Sequence, residues 1–479
     1  MRFVNGRMAA VALLTIASLL HLTEPAFAQE IANIDGQQLN ALWVAPFVGL
    51  LLSIAILPLA HPVVWHHHFG KIAAAWALAF LLPSSLAFGL SRTLYELLHT
   101  LLLEYIPFLI LLLALFTVAG GVLVKGNLHG SAALNTAILG IGTLIASIAG
   151  TTGAAMLLIR PIIRANDNRL YNVHVVVFFI FLVANIGGAL TPLGDPPLFL
   201  GFLKGVSFFW PTYHLFAPWL VVVVIVLAIF FLLDWYLFSL DKNYPAKPDP
   251  TPDSRLSIEG WLNVALLAGI VFAVLVSGLW KPEVKFGVYG VEVELQNILR
   301  DAFLLLITCT SWIVTRPLIR ADNGFTWGPI IEVAKLFAGI FVTIIPAIAI
   351  LKAGTSGALA PVVDLVTGPA GQPDNAMYFW LTGGLSSFLD NAPIYLVFFN
   401  MAGGDPDQLM GPLSTTLLAI SAGAVFMGAN TYIGNAPNFM VKAIAESQGV
   451  RMPSFFGFMV WSSSILIPCF LLVTWLFFL

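Results

Sequence analysis

Residues able to hold a cation or carry a proton gather in four short stretches of an otherwise apolar chain. They are GTTG at 150–153, NIGGALTPLGDPPLFL at 185–200, LDNAP at 389–393 and GANTYIGNAPNFM at 428–440. Thr151, Thr152, Thr191, Asn391, Asn430, Thr431 and Asn435 supply neutral oxygens, and Asp195 and Asp390 supply carboxylates. Hard oxygen donors of this kind suit an alkali cation. An acid inside a membrane segment is costly and marks a functional position by default. Asp195 and Asp390 therefore read as sodium ligands, proton carriers or both in competition, with Asn391 as a further sodium ligand. The plainer alternative makes each aspartate an N-cap, Asp195 before Pro196 and Asp390 before Pro393. Asn185 either joins the site or bonds to a neighbouring helix.

Such residues need particular elements to hold them. Of the 479 residues, 59% are hydrophobic and 9% charged, and the mean hydropathy is +0.93. Apolar runs of spanning length recur along the chain, so the fold class is an all-α polytopic membrane protein. The net charge of -3 offers no basic footprint for nucleic acid. Spans are expected near 41–60, 72–90, 105–124, 173–203, 214–239, 260–280, 301–315, 328–351, 413–441 and 455–479. Two further segments, 132–165 and 376–402, are broken by GTTG and DNAP and read as re-entrant hairpins. Non-helical backbone at membrane depth is tolerated only where protein or a watery cavity satisfies it. A broken helix exposes unpaired N–H groups on one side of the gap and unpaired C=O groups on the other. Glycines such as Gly188 permit the turn, and prolines 196, 197, 393 and 437 suit the first turn of a restarted helix.

Arg2 and Arg7 precede an apolar core, Met8 to Leu20, and Ala26-Phe27-Ala28 forms a cleavage-type site. Residues 1–28 read as a signal peptide, with an uncleaved first span as the alternative. Threading the chain from an external Gln29 places most Lys and Arg, among them Lys71, Lys125, Arg160, Arg164, Arg169 and Arg316, in cytoplasmic loops. In that topology the two hairpins enter from opposite sides. The polar stretch Asp241 to Arg255 reads as an exposed cytoplasmic linker, assigned to 241–258, between a first repeat (29–240) and a second (259–479). A fixed shift of 240 residues aligns Ser147 with Ser387, Gly188 with Gly428, Thr191 with Thr431, Gly194 with Gly434 and Asp195 with Asn435. It also aligns Thr151 with Asn391 and Phe199 with Phe439. Two inverted-topology repeats, each with a hairpin facing a broken helix, are a signature of secondary transporters.

Other features read as structural. The histidines of HPVVWHHHFGK (61–71) read as a polar loop between spans. Glu104, Asp234, Glu332, Asp364 and Glu446 read as interfacial. Cys309 and Cys469 lie too far apart in sequence to suggest a disulfide framework, and no enzyme or nucleotide-binding motif appears. No cofactor is expected beyond sodium and protons as transported or coupling ions.

At GTTGAAMLLIRP (150–161), NIGGALTPLGDPPLFLGF (185–202), FLDNAPIYLVF (388–398) and GANTYIGNAPNFM (428–440), the chain resembles the ion transporter superfamily. Within it, the similarity is to a bacterial group described both as citrate transporters and as sodium:proton antiporters. The resemblance implies a homodimer of elevator type, with both hairpins and both broken helices in the moving part, in the bacterial inner membrane. In the sodium-coupled dicarboxylate relatives, a Ser-Asn-Thr triplet lies at each hairpin tip. Here the tips are Gly150-Thr151-Thr152 and Asp390-Asn391-Ala392, closer to the arsenite-efflux and sodium:proton antiporter branches. The expected function is sodium:proton antiport, with cation-coupled transport of citrate or another organic anion, or arsenite-type efflux, as the alternative.

Overall fold

Long apolar helices punctuated by glycine and proline dominate the computed structural model, which describes residues 34–127, 129–241 and 254–479. The expected signal peptide and most of the expected linker lie outside the described residues. Among those described, nine helices are long and apolar enough to cross a membrane, and ten if one bent pair counts as a span. The chain is an all-α polytopic membrane protein with two small two-stranded sheets added.

In chain order, α1 (Ala45–Ala60) and α2 (Pro62–Phe88) are followed by α3 (Leu90–Thr100). One π turn, Leu101–Tyr105, leads without a break into α4 (Ile106–Ala119) and then strand β1 (Leu123–Asn127). The first hairpin is α5 (Ala132–Ala149) and α6 (Thr151–Arg164). Next come α7 (Val173–Leu182), a 3-10 turn at Ile186–Leu190, α8 (Pro196–Leu203) and the long α9 (Trp210–Asp241). The second half holds strand β2 (Ser254–Glu259), α10 (Trp261–Leu279), the ribbon β3 (Lys285–Val288) and β4 (Val291–Glu294), and α11 (Leu295–Val314). Short α12 (Pro317–Asp322) precedes α13 (Gly328–Thr343) and α14 (Ile345–Lys352), which are bent by 41°. After α15 (Ala360–Asp364) comes the second hairpin, α16 (Asn375–Ser386) and α17 (Asn391–Met401). Short α18 (Pro406–Met410), α19 (Ser414–Met427), a 3-10 turn at Gly428–Asn430, α20 (Ala436–Ser447) and α21 (Phe455–Phe477) complete the chain.

Both hairpins fold back on themselves. Gly150 adopts φ +77°, in the region that favours glycine, and a β-carbon on Gly142 would lie 2.8 Å from Leu158 across the two limbs. In the second hairpin the rings of Tyr378 and Phe398 meet edge to face, with centroids 6.2 Å apart. The second limb of each hairpin packs against the short helix of the opposite half, α6 on α20 and α8 on α17. Strand β1 pairs antiparallel with β2, so the last residues of the expected linker form a ribbon with the first half.

Three expectations are corrected. The histidine tract is helical: Pro62 starts α2 and nothing interrupts it before Gly89, at φ +86°. Glu104 is buried and paired with Lys204. Asp234 is fully buried, where its carboxylate accepts from Arg169 (2.6 Å), His174 (2.7 Å) and Asn135 Nδ2 (2.9 Å). This cluster ties the mouth of the first hairpin, at Asn135 and Asn166, to α7 and α9. Removing one partner of a buried ion pair strands the other charge and costs about 3–5 kcal/mol. Asp234→Ala is therefore expected to lower stability by about 3 kcal/mol, measurable by denaturant unfolding in detergent.

Candidate ion site

The two breaks are stitched to the hairpins by matching hydrogen bonds. Ser147, on the last turn of α5, donates through Oγ to the Gly187 carbonyl (2.5 Å) and accepts from Leu190 N (3.1 Å). At positions 240 residues later, Ser387 donates to the Met427 carbonyl (3.0 Å) and accepts from Asn430 Nδ2 (2.9 Å). Thr191 donates to the Ser147 carbonyl and accepts from Leu193 N, and Thr431 does the same with the Ser387 carbonyl and Ile433 N. Each interrupted segment thus finds partners in its own hairpin, as backbone removed from water requires. Thr191 and Thr431 act as struts in this geometry.

Glycines at the crossings leave no room for a side chain. A β-carbon on Gly194 would lie 2.1 Å from the Gly188 carbonyl oxygen, and one on Gly434 would lie 2.6 Å from that of Gly428. Gly188 in turn packs under the Thr151 methyl and the Gly194 carbonyl. The backbone N–H of Thr151 donates to that same Gly194 carbonyl at 2.8 Å, fixing the hairpin tip to the break.

Asp195 is where the halves meet. It stands at the N-cap position of α8, yet makes no side-chain cap bond. Its carboxylate is buried and accepts three bonds instead. Oδ1 receives Thr151 Oγ1 and Asn435 Nδ2, both at 3.0 Å, and Oδ2 receives Asn391 Nδ2 at 2.6 Å. Thr151 comes from the first hairpin tip, Asn391 from the second and Asn435 from the second break. Asn435 Nδ2 also reaches the Ala184 carbonyl at 3.2 Å. Asn185 donates to Ile180 O (2.8 Å) and to Asn438 Oδ1 (2.6 Å), a second polar bridge between the halves.

Asn438 does not figure among the sequence candidates. It donates to the carbonyls of Gly428 and Thr431, both at 2.9 Å, and so holds the second break open. The 240-residue shift pairs Asn438 with Leu198, so repeat symmetry hides it. The usable signal is a third asparagine in GANTYIGNAPNFM, three residues after Asn435. Ser147 and Ser387, visible in the alignment, were also passed over as site residues.

Asp390 behaves differently from Asp195. It is half-buried and its Oδ1 accepts from Ala392 N at 3.1 Å, capping α17. No hydrogen bond joins it to the Asp195 network. Thr152, half-buried, lines an adjoining crevice without a side-chain bond of its own.

Several acceptors remain open among the residues of the breaks and hairpin tips. The side-chain oxygens of Asn185, Asn391 and Asn430 are buried and have no hydrogen-bond partner. Asn185 Oδ1 and the Asn391 amide both face Gly428, 3.1 and 3.6 Å from where its β-carbon would stand. A buried acceptor left without a donor costs about 1–3 kcal/mol. Such atoms suit a cation that brings no donor of its own. No cluster of three or more His, Cys, Asp or Glu able to hold a metal occurs among the described residues.

A crevice of about 90 Å³ reaches Asp195. That volume holds on the order of six waters. Its walls are Leu111, Leu115 and Phe116 of α4, the first hairpin tip, Ile330 and Val333 of α13, and Met440 of α20. No Lys or Arg lines it.

The close Gly188–Gly194 crossing predicts that Gly194→Ala lowers the thermal midpoint in detergent and abolishes ion-induced stabilisation. Gly384→Ala, at a helix position with open space, is the matched control and is expected to leave both unchanged.

No curated protein matches the chain at the level of a reliable relative. A family model described as "Putative citrate transport" matches residues 36–478, nearly the whole chain. With its bilayer-length apolar helices and broken central segments, the chain belongs to this citrate-transport family and is a multi-pass membrane transporter, not an enzyme.

Proposed function

We propose that the protein is a sodium:proton antiporter in which Asp195 exchanges one ion for the other. The observation carrying this reading is a single buried carboxylate held by donors from both halves and bordered by the unpartnered oxygens of Asn185 and Asn391. Protonated Asp195 releases H⁺, and the resulting carboxylate takes Na⁺ with neutral oxygens completing the shell. The charge of the site is then the same in both loaded forms. Sodium binding there would require the Asn391 amide to turn its oxygen inward, a rotation that exchanges two near-isosteric ends. The sodium ligands in this reading are Asp195, Asn391 and Asn185, with Thr151 positioning the carboxylate. Asp390 serves as the cap that holds Asn391 in place.

The apolar crevice wall supports a small cation over a polyanion. Citrate carries up to three negative charges, and here it would meet a carboxylate and no cationic side chain. The family description favours a second reading, cation-coupled transport of citrate or another organic anion. Helix N-termini give that reading a physical basis, since α6 and α20 both begin beside Asp195 and attract anions. Arsenite-type efflux would use the same entry.

The remaining parts of the proposal concern assembly. The hairpins and broken helices of two inverted repeats, 29–240 and 259–479, would move together as an elevator against α1–α4 and α10–α14. The chain would work as a homodimer in the bacterial inner membrane.

In proteoliposomes, Asp195→Asn is expected to abolish sodium-driven pH change. Asp390→Asn is expected to retain most of it, because asparagine caps a helix as well as aspartate does. Loss in both variants, or in neither, would contradict the assignment. Because only the ionised carboxylate takes sodium, the apparent KM for sodium is expected to fall as pH rises. Uptake of labelled citrate without any sodium:proton exchange would establish the second reading.

A further inference from the structure

The crevice beside Asp195 lies toward the ends of α4 and α13 that adjoin β1 and α12. This is the end that carries the β1–β2 ribbon and the Arg164–Val124 contact. At the opposite end lies an ion pair that the ion site does not use. Lys204 Nζ meets Glu104 Oε1 at 2.5 Å, with the side chains 20% and 7% exposed.

Three observations set this pair apart from a packing contact. Lys204 follows directly on α8, the eight-residue helix that starts after Asp195. Any displacement of Asp195 as part of a rigid α8 therefore displaces Lys204. Glu104 sits in the single π turn of the α3–α4 segment, and π turns are frequent at functional positions. Its second oxygen, Oε2, is buried without a partner. His99 and Lys352 lie near enough to interact electrostatically with the pair, so Glu104 has basic neighbours to turn to once separated from Lys204. A buried ion pair contributes little net stability, and its best-attested use is to specify one of two arrangements.

We propose that Glu104 and Lys204 form the latch that closes the far side of Asp195, and that transport requires the pair to part. The inference rests on the transporter reading above, but not on which ion is carried. On this proposal the arrangement described is open toward the ribbon and held shut at the opposite end by Lys204 on Glu104. An ion that has entered from one side leaves on the other only after the contacts on that side separate. Weakening the latch shifts the population away from the ribbon-open state.

The test reads that population directly. Val333, half-buried on the crevice wall, is replaced by cysteine in a protein carrying Cys309→Ser and Cys469→Ala. Its rate of modification by a membrane-impermeant thiol reagent is measured in inside-out vesicles. Lys204→Gln and Glu104→Gln are each expected to slow modification by about threefold or more. The double exchange Lys204→Glu with Glu104→Lys is expected to restore it, which a folding defect would not do. Unchanged rates in both single variants, or failure of the exchange to restore the rate, would overturn the latch. No transported ion enters the measurement. Absence of sodium:proton exchange in the parent would defeat the antiport reading while leaving this result to stand or fall separately.

Discussion

Backbone that leaves helical geometry away from water must find its hydrogen bonds within the protein, and the centre of this molecule is organised around that requirement. The two interrupted helices cannot satisfy themselves. Each borrows a serine from the last turn of a hairpin limb, Ser147 or Ser387, which gives one bond and takes another. The hairpins in turn depend on the interruptions, since Thr191 and Thr431 return bonds to the carbonyls of those serines. Neither element is stable as drawn without its mate. The site exists because these irregular segments are pinned beside one another.

Symmetry explains the scaffold, and departures from symmetry explain the chemistry. The serine, threonine and glycine pairs repeat at a shift of 240 with matching partners. The charged and amide groups do not repeat. Asp195 corresponds to Asn435, Thr151 to Asn391, Asn438 to Leu198 and Asn185 to Val425. The result is one carboxylate surrounded by amides rather than two facing carboxylates, whose mutual repulsion would raise the cost of burial. Phe199 and Phe439 show the same divergence in packing, the first buried and the second 57% exposed.

Much of this was legible in the sequence because glycine and proline inside apolar runs have few other uses. Helix breaks occur at Gly150, after Leu182, before Asn391 and after Met427, and Thr151, Asp195, Asn391 and Asn435 come together. What was not legible depended on rotation about helix axes. Asp234 and Glu104 lie near span ends, where burial is decided by which face a helix turns inward, and apolar composition all round gives no preferred face. Likewise Asp195 and Asp390 precede similar proline-containing segments. Only the geometry distinguishes a carboxylate turned across the halves from one folded back as a cap. The histidine tract reads as a loop because of its polarity, whereas Pro62, suited to a first helical turn, begins a helix through it.

The bonds at Asp195 also bear on how the protein is made. Its partners Asn391 and Asn435 follow it by 196 and 240 residues. When the first half has emerged from the ribosome, Asp195 has Thr151 beside it and little else. The nascent membrane domain therefore carries an acid without its full set of donors until the final fifth of the chain is inserted. Through that interval protonation is the cheapest way to keep the group in an apolar setting. Assembly therefore favours the neutral acid first, with the ionised form awaiting the amides of the second half.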